Sequence, residues 1–398
     1  MPARKIKRKV VDPVADFLRA ETAGGFALLA GAAVALLWVN VVSASGYESL
    51  WGTQLRIGIG DVALDEDLRH WVNDGLMVIF FFLISLEIKR ELVVGDLREP
   101  RAAALPIVAA VGGVLVPVAI FFALAGGGDT ADGWGIPMAT DAAFALGVLA
   151  ILGDRVGVGV KLFLVTIAVA DDVMAILVIA VAYAGDLSAG WILATVVGVA
   201  SVVALRRLGV TSVLAYVPVG IAIWIAMLES GVHATLAGVA LGLLTPAKPV
   251  GGRKVLEELE DRVHPLSSFV VLPLFALANA GVELGGSALL EPDAHQVALA
   301  VAVGLVAGKF MGIAGATILA LRLRLGTLPE GVDLRGVLGA AALGGIGFTV
   351  SLFIAPLAYS DDTLVEGAKV GILAGSVLSA AAGVAILAPG GRHPTRRE

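Results

Sequence analysis

Residues 161–184 read KLFLVTIAVADDVMAILVIAVAYA, an apolar run that carries two adjacent aspartates, Asp171 and Asp172, near its centre. A run of about 20 apolar residues is long enough to cross the hydrocarbon core of a bilayer as a helix. Each charged side chain at the middle of such a helix costs at least about 2.5–3.5 kcal/mol on insertion scales, so those that a chain keeps mark functional sites. The stretch predicts a membrane helix with a site at its centre.

The composition of the whole chain is that of a membrane protein. Of its 398 residues, 58% are hydrophobic and only 16% are charged, whereas soluble domains carry about 25% charged residues. The chain has 50 glycines, and glycine is more frequent in transmembrane helices than in soluble ones. Because the chain has no cysteine, disulfides, thiolate nucleophiles and cysteine metal sites are excluded.

Apolar blocks between charged or Gly/Pro-rich breaks predict an all-α polytopic membrane protein with twelve transmembrane helices in a single domain, residues 1–398. The predicted spans are 22–42, 71–88, 103–125, 136–153, 161–184, 188–205, 211–228, 231–245, 265–284, 296–320, 336–358 and 366–388.

The basic residues support this count and indicate an orientation. With the N-terminus in the cytoplasm, 24 of the 28 lysines and arginines lie in cytoplasmic segments, three lie in outside loops, and Lys309 lies within a span. Cytoplasmic loops carry such an excess of basic residues. Both terminal segments, 1–21 and 389–398, are therefore predicted to be cytoplasmic, and the basic cluster at 4–9 is interpreted as a topology signal and not as a nucleic-acid site.

Residues 43–70 form the one long outside connection of this topology. Within it, the segment LRIGIGDVAL at 55–64 alternates in part between apolar and polar residues around a Gly-Asp step, which is typical of a β-hairpin. Unpaired strand edges bind other strands. We therefore expect a homodimer that forms through this external loop.

Four ionisable residues stand out deep within predicted spans: Asp141, Asp171, Asp172 and Lys309. Adjacent helix positions point about 100° apart, so the two neighbouring aspartates cannot face the same point, and the lysine is the obvious partner of one of them. A buried carboxylate near hydroxyl or carbonyl oxygens can bind either a proton or a small hard cation. One such site that opens to each side in turn would be an exchanger, whereas the alternative is a structural ion pair between two helices.

Two spans carry the signals of broken helices. Pro137 precedes the small and polar stretch that leads to Asp141 in span 4, and span 11 contains the segment LGGIGFTVS at 343–351. These are the middle members of spans 3–5 and 10–12, whose opposite topology is that of inverted repeats and points to a transport site at the midplane. Asp141 would offset exposed helix N-termini and Lys309 exposed C-termini. For span 11 alone, close helix packing is the alternative role of the glycines.

Several segments, in order along most of the chain, together resemble motifs of the NhaA family of sodium/proton antiporters, a family known for inverted repeats. They are NDGLM at 73–77, LEIKREL at 86–92, ATDAAFALG at 139–147, DD at 171–172, SGVHATLAGV at 230–239, LPLFALANAG at 272–281, GK at 308–309 and GIGFT at 345–349.

The resemblance implies an electrogenic secondary antiporter, not an enzyme, that exchanges external protons for cytoplasmic Na⁺ or Li⁺ in sodium and pH homeostasis. It implies that Asp172 is the direct cation ligand, that Asp171 is alternately protonated or paired with Lys309, and that Thr140 completes the Na⁺/Li⁺ site. Thr140 and Asp141 would lie where the broken helices cross. The implied location is the bacterial inner membrane, and no cofactor is expected besides the transported ions.

The resemblance also implies a pH-responsive cluster at the cytoplasmic mouth, formed by Glu87, Arg90, Glu91, Glu260 and His264. Asp261 departs from the family pattern, in which a histidine is expected at its position. Histidine titrates near neutrality and an ordinary aspartate does not, so no pH threshold is carried over to this chain. A plain charge cluster at a helix end is the alternative for the first three residues of the set.

Three other functions agree with fewer features of the sequence than an antiporter does. The string GIGD at 58–61 matches intramembrane aspartyl proteases, but it lies in the external loop, and no Tyr-Asp pair supplies the second half of such a site. A sodium-coupled organic anion symporter of similar architecture remains the alternative, although a lysine opposite two aspartates has no clear role in it. A channel lacks support because the sequence contains no repeated pore loop.

Overall fold

The computed structural model describes residues 23–59, 62–95, 98–250, 252–285 and 290–389. These residues are mostly helical, and six of the described helices are long and apolar enough to cross a membrane. Two further pairs of short helices, bent by 51° and 41° at a break, raise this number to eight if each pair is one span. The fold is that of a helical multi-pass membrane protein. The predicted terminal segments lie almost wholly outside the described residues.

Among the described residues, the α-helical and strand segments follow one another along the chain. They are α1 (Ala23–Val42), α2 (Ala44–Trp51), β1 (Gln54–Ile59), β2 (Val62–Asp67), α3 (Leu68–His70), α4 (Met77–Val93), α5 (Pro100–Ala125), α6 (Ala142–Leu152), α7 (Val158–Ala182), α8 (Ala189–Arg207), α9 (Val217–Leu228), α10 (Leu236–Leu244), α11 (Val255–Leu266), α12 (Leu272–Asn279), α13 (Pro292–Val303), α14 (Lys309–Arg322), α15 (Leu334–Leu343), α16 (Phe348–Ala358) and α17 (Asp362–Leu387).

Shorter helical forms join several of these segments. Turns of π-helix at Trp71–Leu76, Ser267–Val271 and Gly304–Gly308 connect α3 to α4, α11 to α12 and α13 to α14 without a gap. A 3₁₀ helix at Gly128–Met138 precedes α6 and forms the first bent pair with it. Helices α15 and α16 form the second bent pair.

Strands β1 and β2 lie in the loop between α2 and α3. They pair in antiparallel register over all six residues of each strand, so only residues 60 and 61, which the structure leaves undescribed, separate them. Arg69 of α3 pairs with Glu48 of α2 at 2.9 Å, and the Trp71 ring N–H donates to the Leu55 carbonyl at 2.9 Å. These contacts tie the hairpin to the ends of the neighbouring helices.

Some helix boundaries differ from the predicted spans. α11 begins at Val255, ten residues before the predicted span 265–284, because its amphipathic sequence VLEELEDRVHPL continues the helix beyond the apolar block. α10 covers only part of the predicted span 231–245, since Gly231 before it has a φ of +80°, a left-handed conformation that interrupts a helix. Hydropathy alone reports neither effect.

Helices α5 and α14 cross closely, with glycines of the two helices against each other. A Cβ added to Gly112 or to Gly312 would overlap the carbonyl oxygen of the other residue, and a Cβ on Gly308 would lie 2.6 Å from Pro117 Cα. Small residues allow this close approach of helices in membranes. The crossing places Lys309, the first residue of α14, directly against α5 and the first bent pair.

Candidate functional site

The two bent pairs meet at their breaks, and Asp141 joins them. Its Oδ1 accepts a hydrogen bond from the Phe144 N–H of α6 at 2.9 Å, and its Oδ2 accepts one from the Thr349 N–H of α16 at 3.0 Å. Its own N–H donates to the Ile346 carbonyl at 2.6 Å. Helix N-termini carry unsatisfied N–H groups and partial positive charge. One carboxylate therefore satisfies the N-terminal ends of two helices.

The C-terminal end of the 3₁₀ helix also has side-chain partners. The Lys309 ammonium donates to the Met138 carbonyl at 2.7 Å, and the Ser351 hydroxyl donates to the Ile136 carbonyl at 2.6 Å. The last carbonyls of a helix carry partial negative charge, so a cation and a hydroxyl donor both stabilise them. The charges at the break are thus matched: an anion at the helix N-termini and a cation at this C-terminus.

Asp171, Lys309 and Thr140 form one buried group beside this break. Asp171 Oδ2 accepts a hydrogen bond from the Lys309 ammonium at 2.5 Å and lies 2.7 Å from the Thr140 hydroxyl. That hydroxyl also lies 2.8 Å from the Gly344 carbonyl at the end of α15, and it can donate to one of the two at a time. Both charged side chains are 0% exposed. A buried ion pair is stable only with such added hydrogen bonds.

Asp172, next to Asp171 on α7, is turned by about 100° from it. It is partly exposed and accepts no hydrogen bond from the part of the chain that the structure describes. Oδ1 of Asp171 likewise has no hydrogen-bond partner among the described residues. These oxygens are therefore the acceptors that remain for a proton or a cation at this site.

The donor set suits a small hard cation. Carboxylate, hydroxyl and carbonyl oxygens are the ligands that such cations prefer, and Asp172, Asp171 and Thr140 supply the first two kinds. A cation that binds Asp171 competes with the Lys309 ammonium, which keeps the Met138 carbonyl as its other partner. Asp171 can therefore exchange one positive charge for another.

The residues of the predicted pH-responsive cluster meet where α4 packs against α11. Arg90 forms an ion pair with the buried Glu260 and lies 3.8 Å from Glu91. Glu87 lies one turn before Glu91 on α4, and the buried His264 lies one turn after Glu260 on α11. Burial raises the pKa of the Glu260 carboxyl above its ordinary value, and the Arg90 guanidinium partly opposes this shift.

A match to one family model covers nearly the whole chain. Residues 15–387 match the model of the family described as Na⁺/H⁺ antiporter 1. The chain belongs to this family. The NhaA resemblance expected from the motifs is thereby confirmed.

Bacterial proteins named NhaA match this chain over most of their length. The Na⁺/H⁺ antiporter NhaA 3 of Frankia alni is 42% identical over 419 residues, which cover 97% of this chain and 90% of the relative. The NhaA of an Acidovorax species is 45% identical over 372 residues, 92% of this chain and 89% of the relative. The NhaA of Shewanella loihica is 43% identical over 380 residues, which cover 93% of this chain and 95% of the relative. Antiporters are secondary transporters and not enzymes, and these names lend no support to the symporter.

For this NhaA-type chain, sequence reasoning brought together Asp141, Asp171 and Lys309 but missed some of their neighbours. Ser351 could have been found, because it is a hydroxyl within the glycine-rich break of span 11. The Met138 carbonyl could not, since a backbone group carries no sequence signal. The sequence likewise gives no signal for the hydrogen bonds that Tyr183 and Tyr359 make to the 3₁₀ helix from the ends of α7 and α16.

Proposed function

We propose that this protein is an electrogenic Na⁺/H⁺ antiporter that expels cytoplasmic Na⁺ in exchange for external protons and accepts Li⁺ as an alternative cation. Membership of the Na⁺/H⁺ antiporter 1 family supports the exchange of Na⁺ for H⁺. The structural observation that carries the proposal is the fully buried contact of Asp171 with Lys309 and Thr140, next to the unbonded carboxylate of Asp172.

In the proposed cycle, Asp172 binds the cation directly, while Asp171 and the Thr140 hydroxyl complete its shell. When the cation leaves, Asp172 and Asp171 each take up a proton from the outside. After both protons are released to the cytoplasm, Asp171 pairs with Lys309 until the next cation binds. Because two carboxylates titrate against one monovalent cation, more than one proton is exchanged for each Na⁺, which makes the exchange electrogenic. Asp141 stays with the two helix N-termini and keeps the break in place.

We propose twelve spans, with spans 3–5 and 10–12 as inverted repeats, in the bacterial inner membrane. The two bent helix pairs lie at spans 4 and 11, in corresponding positions of the two triplets, and this supports the repeat. The distribution of basic residues supports cytoplasmic termini. The β-hairpin within the outside loop 43–70 offers unpaired strand edges, which support a homodimer.

We further propose that Glu87, Arg90, Glu91, Glu260 and His264 adjust the exchange to pH. Their convergence at one end of α4 supports this role, and the raised pKa of Glu260 brings its titration closer to neutrality. Asp261 is exposed and raises the pKa of Glu260 further through its negative charge. An aspartate at this position thus takes part in the cluster through its charge, where a histidine would act through its own titration.

Proton flux in everted membrane vesicles tests the proposed exchange. Vesicles from cells that produce the protein are acidified by respiration, and an acridine dye reports the loss of the gradient after NaCl or LiCl is added. The wild type should dequench the dye with either salt. Asp172→Asn should abolish the response, whereas Asp65→Asn, at an exposed aspartate of the hairpin strand β2, should keep it.

Two results of this vesicle experiment would contradict the proposal or part of it. Inserted wild-type protein that gives no dequenching with either cation, from neutral to alkaline pH, is not an Na⁺/H⁺ antiporter. Full exchange in Asp172→Asn would instead leave the antiporter in place and remove Asp172 from its site.

A further inference from the structure

The 3₁₀ helix Gly128–Met138 needs support from outside itself. It has eleven residues, and 3₁₀ helices longer than three or four residues are uncommon, because their hydrogen-bond geometry is poorer than that of an α-helix. Its own backbone bonds therefore do not account for its shape and position. Two tyrosine hydroxyls, those of Tyr183 and Tyr359, contact its backbone.

Tyr183 lies directly after the last residue of α7 and holds the middle of the 3₁₀ helix. Its hydroxyl accepts a hydrogen bond from the Gly135 N–H at 2.9 Å and donates to the Asp132 carbonyl at 3.0 Å. Its ring stacks on Trp134 with the ring centroids 6.1 Å apart. A Cβ at position 135 would lie 2.6 Å from the tyrosine oxygen, so any larger residue there would displace the hydroxyl.

Tyr359 makes a matching contact from the other bent pair. It lies directly after the last residue of α16, and its hydroxyl donates to the Thr130 carbonyl at 2.8 Å. A Cβ on Gly133 would overlap its hydroxyl oxygen. The two tyrosines therefore hold the same 3₁₀ helix, one from the end of α7 and one from the end of α16.

The far end of this 3₁₀ helix is part of the ion site. Its last residue, Met138, presents the carbonyl that accepts the Lys309 ammonium at 2.7 Å. The same ammonium is bound to Asp171 at 2.5 Å. Asp171 lies on α7, and Tyr183 directly follows the same helix. Tyr183 therefore connects the helix that carries the Asp171 carboxylate to the 3₁₀ helix that carries the Met138 carbonyl, and Lys309 binds both groups.

We propose that Tyr183 and Tyr359 are positioning residues for the exchange: by holding the 3₁₀ helix they set the Met138 carbonyl, and through it they set how strongly Lys309 competes with Na⁺ for Asp171. Neither hydroxyl belongs to the ion-binding group. The inference rests on the proposed exchange function. When a hydroxyl is lost, the Met138 carbonyl is held less firmly, Lys309 relies more on Asp171, and Na⁺ has to displace a stronger competitor.

The test is the Na⁺ dependence of exchange by purified protein in liposomes. Tyr359→Phe removes the hydrogen bond to Thr130 and should raise the KM for Na⁺ by about twofold to tenfold, with a smaller change in kcat. Tyr183→Phe removes two hydrogen bonds and should raise the KM at least as much. Tyr216→Phe is the matched control, because its hydroxyl also donates to a backbone carbonyl, that of Val210 at 2.8 Å, on the connection between α8 and α9. It should leave the KM unchanged.

Gly135→Ala provides a second route to the same contact. The added methyl group displaces the hydroxyl of Tyr183 without removing it, so this variant should also raise the KM for Na⁺. Combined with Tyr183→Phe, its effect should be smaller than the sum of the two single effects, because both act on one contact. This variant still tests the proposal if Tyr183→Phe does not fold.

The outcomes separate the positioning role of the tyrosines from the proposed exchange function. Unchanged KM values in an active protein overturn the positioning role alone, and so does a lower melting temperature with an unchanged KM, which makes the tyrosines purely structural. A wild-type protein without exchange overturns the proposed function and the positioning role with it.

Discussion

The buried pair of Asp171 and Lys309 makes a prediction for stability. Lys309→Met leaves a fully buried carboxylate without its cation, and breaking such a pair lowers the free energy of unfolding by about 3–5 kcal/mol. The double variant Asp171→Asn/Lys309→Met should recover most of that loss, because neither charge is then left alone. Thermal unfolding of the purified protein in detergent measures both variants.

A surface pair serves as the control for this experiment. Lys254 pairs with Glu257 at 2.7 Å, but both side chains are largely exposed, and exposed pairs contribute about 0–1 kcal/mol. Lys254→Met should therefore leave the melting temperature nearly unchanged. If Lys309→Met did the same, the contact with Asp171 would not be a buried ion pair.

The double role of Asp141 can be measured against a residue with a single role. Asp141 accepts hydrogen bonds from the N-terminal ends of two helices, whereas Asp333 caps only α15, through the Gly336 N–H at 2.7 Å. Loss of one helix cap costs about 0.5–2 kcal/mol. Asp141→Ala should lower the free energy of unfolding about twice as much as Asp333→Ala. Equal effects in thermal unfolding would show that one of the two bonds of Asp141 contributes nothing.

The crossing of α5 and α14 predicts opposite effects for two glycines of the same helix. A methyl group on Gly312 would overlap the Gly112 carbonyl, and overpacking of this kind costs about 1–3 kcal/mol. Gly315, one turn later, has open space where its Cβ would lie, and alanine is about 1 kcal/mol better than glycine in a helix. Gly312→Ala should lower the melting temperature, and Gly315→Ala should keep or raise it. A stable Gly312→Ala variant would contradict the close crossing.

The breaks of the two bent pairs were predictable, because backbone signals mark them locally. Pro137 lies at the end of the 3₁₀ helix, and the glycines after Leu343 end α15. Charged residues within apolar spans were also informative, because a buried charge predicts a partner of opposite charge. Lys309 is accordingly expected to pair with one of the two aspartates of α7, and it pairs with Asp171.

Other elements could not be read from the sequence, because partners distant along the chain decide them. The 3₁₀ form of Gly128–Met138 is held by residues at the ends of α7 and α16. The π turn at Gly304–Gly308, which directly precedes Lys309, has glycines that pack against Pro117 and Pro137 of other elements. An apolar run predicts that a span exists but not which helical form it takes.

The cluster between α4 and α11 predicts how the stability of the whole protein changes with pH. Burial raises the pKa of Glu260 in the folded protein, so between the unfolded and the folded pKa the folded state binds more protons than the unfolded state. The stability contributed by the protonated form is complete below the unfolded value and is lost as pH rises through the folded value. Glu260→Gln, which cannot ionise, should therefore gain stability relative to the wild type as pH rises.

Melting temperatures of the wild type and Glu260→Gln, measured across a series of pH values, test this prediction. Glu257→Gln is the matched control, because Glu257 lies on the same helix with an exposed side chain paired to Lys254. The melting-temperature difference from the wild type should widen with pH for Glu260→Gln and stay constant for Glu257→Gln. A constant difference for both would mean that the Glu260 carboxyl is not perturbed by burial.

The hydrogen bond between Asp141 and the Thr349 N–H joins residues that are 208 positions apart. Chains are synthesised at about 5–20 residues per second, so Asp141 exists for about 10–40 s before its second partner is made. During that interval the carboxylate lacks its bond to the Thr349 N–H, because the start of α16 has not left the ribosome. The first half of the protein therefore cannot reach its final arrangement while it is being translated, and the two bent pairs assemble as one late event in biogenesis.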